Sequence, residues 1–154
     1  MISTDTSSLR ALNSLLPICN ASQQGYETAA ADASDAEIGR FFGELAAQRM
    51  KFGDELRARV RTLRAEPGGD ESGLAAAHRG WIDFEAAVAH APVHALLVEC
   101  ERAEDVAVAA YADALKTTDL DKQTRTIIQR QYEAVQLGHD RVRQLRDRAE
   151  SAHR

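Results

Sequence analysis

Proline is scarce, with three in 154 residues, so long stretches of the chain are free of the residue that most strongly breaks a helix. Strict alternation of apolar and polar residues, the mark of a half-buried strand, occurs nowhere at useful length, and a β architecture is excluded on that ground. No apolar run approaches the roughly 20 residues that a helix needs to cross a bilayer. Residues Met1 to Ser8 are polar and lack the charged start and apolar core of a secretory signal, so a cytoplasmic location is expected. The chain is also short of net positive charge: the formal value is −5, and a general nucleic-acid binder would present a basic face instead. The basic stretch Arg141, Arg143, Arg146 and Arg148 is interrupted by Asp140, Asp147 and Glu150 and reads as a solvated helix face. Cysteine is limited to Cys19 and Cys100, with no CxxC motif and no neighbouring histidine to mark a nucleophile. Gly68-Gly69 precedes an acidic turn without the lysine and helix of a phosphate loop.

What is present is helix-forming material. The composition is 44% hydrophobic and 28% charged, rich in Ala, Leu, Glu, Arg and Gln, and the length suits one domain over residues 1–154. Apolar residues recur three and four apart, the spacing of a single helix face. The first stripe runs Leu9, Leu12, Leu16, Cys19, Tyr26 and Ala30, with Pro17 either starting or kinking the helix. The second is Ile38, Phe42, Leu45, Gln48, Phe52, Leu56, Val60 and Leu63. The third holds Leu97, Cys100, Glu104, Ala107, Tyr111 and Leu115, and the fourth Ile128, Gln131, Val135, His139, Val142, Leu145 and Ala149. Both cysteines fall on core faces, which suits reduced, buried thiols.

Breaks separate these stripes. Asp32-Ala33-Ser34-Asp35, with Glu37 behind it, supplies an N-cap for the second helix. Glu66-Pro67-Gly68-Gly69-Asp70 ends that helix, and Thr117-Thr118-Asp119 divides the third from the fourth. The link over about residues 65–93 far exceeds the usual helix connection of roughly 2 to 8 residues. It carries a shorter helical pattern, Leu74, Ala77, Trp81, Phe84 and Val88, expected to lie across the bundle and bury Trp81 and Phe84. The expected fold is all-α: a four-helix bundle of two antiparallel hairpins joined by a long crossover with a short extra helix.

Each stripe has one polar or reactive residue near its middle: Cys19, Gln48, Glu104 and His139. A polar group facing a bundle centre must be satisfied there, so this layer is the candidate site. Cys19 and Gln48 lie 15 and 14 residues either side of Ser34, at one height in an antiparallel hairpin. Glu104 and His139 lie 14 and 21 residues either side of Thr118, a less even match that Gln136 would improve. Glu27, Glu99 and Glu101 sit one position off the stripes, and His78 and His94 read as surface or packing residues.

The strings "GYETAA", "ELAAQRMKFGDEL", "HRGW", "ECERAEDVAVAAY" and "HDRVRQLRD", spread from Leu9 to Asp147, resemble a bacterial ferritin-like bundle family catalogued as a domain of unknown function. The resemblance implies a ferritin-like fold and no particular activity. Ferritin-type di-iron proteins place Glu on helices one and three and Glu-x-x-His on helices two and four. By that comparison Glu104 matches the helix-three carboxylate and His139 the helix-four histidine. Gln136 stands where the partner Glu would be, Cys19 near the helix-one carboxylate, and Gln48 and Lys51 in the remaining register. A second register uses Glu44 with Ala47. A carboxylate-poor layer of this kind argues against di-iron chemistry.

Two readings follow. In one, Glu104 and His139, bridged by Gln48, form a satisfied polar layer without a metal or other cofactor, in a non-enzymatic structural or stress-related protein that self-associates, as a homodimer for instance. In the other, Glu104, His139 and Cys19, with Gln48 and Gln136 near by, hold a single Fe or Zn ion in a metal-binding or redox protein.

Overall fold

A computed structural model describes residues 4–63, 81, 84 and 92–153. They form four long helices: α1 Thr4–Asp32, α2 Ala36–Thr62, α3 Val93–Leu115 and α4 Lys122–His153. Among the described residues there is no strand, and no helix is long and apolar enough to cross a membrane. Of the crossover pattern, Trp81 and Phe84 are helical and buried; Leu74, Ala77 and Val88 lie outside the described residues.

The turns are built as the sequence indicates. Asp35, in extended conformation, caps α2 by accepting a hydrogen bond from the Ile38 amide at 3.0 Å, and Glu37 in the first turn favours the same end. Asp121 caps α4 by accepting from the Thr124 amide at 2.8 Å and the Thr124 hydroxyl at 2.7 Å. α1 runs through Pro17 without a break. An internal proline costs about 3 kcal/mol, and Leu15, Leu16 and Ile18, all buried beside it, supply packing of at least that size.

Pairing fixes the topology. α1 lies against α2 and α3 against α4 as hairpins. Cys19 meets Tyr111 while Tyr26 meets Glu104, so advancing along α1 means retreating along α3. α1 is therefore antiparallel to both α2 and α3, and α2 and α3 run the same way. Leu63 and Pro92 consequently sit at opposite ends of the bundle, which is why a short loop cannot join α2 to α3.

The apolar core falls into two clusters. One is built on Leu12, Leu15, Leu56, Val60, Tyr111 and Ile128. The other gathers Tyr26, Phe42, Leu97, Val142 and the crossover residues Trp81 and Phe84. Trp81 meets Tyr26 edge to face at 4.8 Å between ring centroids. It packs so closely on α1 that a Cβ at Gly25 would come 2.5 Å from its ring, and only glycine leaves that space. Between the two clusters lies a level where side chains from all four helices are polar or absent.

Candidate functional site

At that level α2 contributes Arg49 and α3 contributes Glu104, 1% and 0% exposed. One guanidinium nitrogen, Arg49 Nη2, donates to both carboxylate oxygens, at 2.7 Å and 3.0 Å. From α1 the Tyr26 hydroxyl donates to Glu104 Oε1 at 2.6 Å. Arg49 Nη1 reaches the Ser22 hydroxyl at 3.3 Å and Nε the Gln48 carbonyl oxygen at 3.2 Å. The guanidinium also lies over the Tyr26 ring, 5.7 Å from its centroid. From α4, Gly138 faces this pair: a Cβ there would stand in ordinary contact, 3.7 Å from Arg49 Nη2 and 3.8 Å from Glu104 Oε1.

Burial alone would push the Arg49 guanidinium down, but Glu104 and Tyr26 beside it reverse the effect and hold it firmly protonated. Two charges taken out of water are tolerable only with close geometry and further hydrogen bonds. The five hydrogen bonds around Arg49 and Glu104 provide both.

Each cysteine pairs with the tyrosine of the opposite helix. Tyr26 OH lies 3.4 Å from Cys100 Sγ, and Tyr111 OH lies 3.3 Å from Cys19 Sγ. The single hydroxyl proton of Tyr26 goes to Glu104, and that of Tyr111 goes to Gln131 Oε1 at 2.6 Å. In both pairs, then, the thiol donates to the phenol oxygen. Gln131 in turn donates to Glu55 Oε1 at 2.7 Å, and Glu55 pairs with Arg130 near the surface. Burial pushes both thiols and both phenols up. These are protonated, enclosed groups and not nucleophiles.

The sequence-predicted residues are only partly brought together. Glu104 sits in the layer as expected, but its partners are Arg49 and Tyr26, not His139. His139 stands at the rim of the α3–α4 seam, with Nε2 2.6 Å from Asp105 and 3.9 Å from Glu101, and Nδ1 3.6 Å from Asp140. Cys19 is buried one turn from the ion pair beside Tyr111. Gln48 is half-buried and touches the layer through Arg49, and Gln136 is exposed. The residues that reading by stripes missed are Arg49 and Gly138, each one position beyond or before the one it selected. The four-residue step from Leu45 to Arg49 was the available signal.

A di-metal centre does not fit this arrangement. The helix-three carboxylate has both oxygens engaged by a guanidinium, so a fixed positive charge already lies where cations would have to bind. Both thiols are buried and each is hydrogen-bonded to a tyrosine hydroxyl, so a metal would have to displace that contact as well as the thiol proton. Among the described residues no three His, Cys, Asp or Glu side chains are grouped as a metal would require.

Helix order and pairing, with the long span of chain between α2 and α3, define a ferritin-like four-helix bundle. A solved mutant of Mycobacterium smegmatis Dps1 is similar with a TM-score of 0.77 at 16% identity, covering 93% of this chain and 97% of that one. A dodecameric thioferritin, the bacterioferritin-related protein from Bacteroides fragilis, gives a TM-score of 0.74 at 17% identity, covering 99% and 92%. At those identities the likeness is one of fold. The chain belongs to the family described as Domain of unknown function (DUF2383), which matches residues 7–117. No curated protein matches it.

Proposed function

We propose that this chain is a non-catalytic, self-associating subunit of ferritin-like fold, cytoplasmic, in which a permanent internal cation replaces the metal as the charge at the bundle centre. The observation that carries the reading is the buried Arg49–Glu104 pair. A guanidinium is charged at every physiological pH and does not exchange, so the core keeps its central charge without loading, redox cycling or release. Enclosed thiols and phenols, and the lack of a grouped donor set among the described residues, support a structural role. Self-association is carried over from the Bacteroides fragilis neighbour, described as dodecameric.

Elemental analysis of protein purified without chelators or an affinity tag tests it, before and after supplementation with Fe or Zn. The expected result is substoichiometric metal and a melting temperature unmoved by chelator. Stoichiometric metal that disappears in both Glu104→Ala and His139→Ala would replace this reading with the metal-binding one.

A further inference from the structure

The outer face of α2 carries a ridge whose spacing and charge are both reversible. Arg40, Glu44, Ala47, Gln48, Lys51 and Glu55 are separated by four, three, one, three and four residues, a pattern that reads the same in either direction and keeps to one side of the helix. Arg40, Glu44, Ala47 and Lys51 are exposed, and Gln48 and Glu55 half-buried. If the ridge is turned end for end about its midpoint between Ala47 and Gln48, Arg40 falls on Glu55 and Glu44 falls on Lys51. Every charge meets its opposite. Among the described residues Arg40, Glu44 and Lys51 have no ion-pair partner, while Glu55 holds Arg130.

A groove of about 700 Å³ between α2 and α4 is lined by the ridge from Glu44 to Glu55 together with Met50, Phe52, Arg130 and Ala134. Met50 is 45% exposed and Leu137 70%, the large apolar side chains most open to water among the described residues. Leu137 follows Arg130 and Ala134 at helical spacing and borders the adjoining hollow with Val108 and Gln136. Exposed apolar side chains set among charges of both signs are how a protein-binding surface is composed.

We infer that this face binds a second copy of the chain, with the two α2 helices antiparallel across a two-fold axis near Ala47 and Gln48. A two-fold interface must be self-complementary, so that residue i meets j and j meets i. The ridge satisfies that twice over, pairing Glu44 with the partner's Lys51 and Arg40 with the partner's Glu55. Ala47, small and exposed, sits at the crossing and lets the helices approach. The inference rests on the self-association proposed above and deepens it by naming the surface and its symmetry.

Sedimentation velocity over a concentration series tests it on the full chain, with circular dichroism confirming that substitutions at exposed positions leave the helices intact. Glu44→Lys and Lys51→Glu each turn two symmetric attractions into repulsions and should weaken the dimer on the order of tenfold or more. The double substitution Glu44→Lys, Lys51→Glu restores both pairs and should restore association. Mixing the two single variants should give a heterodimer tighter than either parent. A wild-type chain that stays monomeric throughout would sink both the self-association and this surface. Association that is indifferent to the single reversals, or a double variant as weak as the singles, would overturn the surface and leave the self-association standing.

Discussion

Arg49 can occupy the core because Glu104, Tyr26 and Ser22 meet it there, and its removal is informative for the same reason. Arg49→Met leaves Glu104 buried without a counter-charge, and breaking a buried pair from one side costs roughly 3–5 kcal/mol. Denaturant unfolding should show that loss, and adding Glu104→Leu should recover a substantial part of it, since two apolar side chains leave no stranded charge. A double variant no more stable than Arg49→Met would mean the pair matters for something other than charge balance. The same residue shows where sequence reading stops. Positions three and four beyond Leu45 both lie on the apolar face, and Gln48 is the less polar of the two. Choosing Arg49 requires knowing that a carboxylate waits on α3. On α4 the step from Val135 has the same ambiguity: His139 is conspicuous, whereas Gly138 offers no side chain to notice, yet Gly138 faces the pair. Glu104 was legible because no neighbouring position competes with it.

Single helices are set by their caps and stripes, and these were readable in advance: the capping segment Asp32-Ala33-Ser34-Asp35 before α2, the break at residues 117–119, and the apolar stripes. Pro17 was read as a start or a kink, but the buried leucines around it carry α1 straight through, tertiary packing outweighing local propensity. The N-terminus of α4 has a titratable element. Burial pushes the Asp121 carboxyl up, but hydrogen bonds from Thr124 and Arg59 outweigh it and hold the group at about 2 against an ordinary 3.8. A carboxyl depressed on folding stabilises the protein above its unfolded value and ceases to do so as pH falls through its folded one. The contribution, on the order of 2 kcal/mol, is present at neutral pH and fades between about pH 4 and 2. Asp121→Asn should therefore melt below wild type at pH 7, with the two curves converging as the solution is acidified through that window. A gap that persists at pH 2 would assign the cap's value to packing alone.

Considered as a whole, the bundle was foreshadowed by one length: the residues between α2 and α3 are too many for a hairpin turn, and parallel α2 and α3 demand such a span. What joined the halves was not legible, because the contacts between α1 and α3 link residues some 80 positions apart and leave no periodic trace. The two apolar clusters share the Arg49–Glu104 level as a common floor, so one folding unit is expected, and heating should give a single transition by both far- and near-ultraviolet circular dichroism. Two separated transitions would divide the chain. Arg49 belongs to the first hairpin and Glu104 to the second, so the two ions meet only where the hairpins are packed in register. Sliding one hairpin by a helical turn, about 5.4 Å, would preserve most of the oily surface but strand both ions in it, which makes the pair a lock on register: it penalises the misaligned bundle more than it strengthens the aligned one.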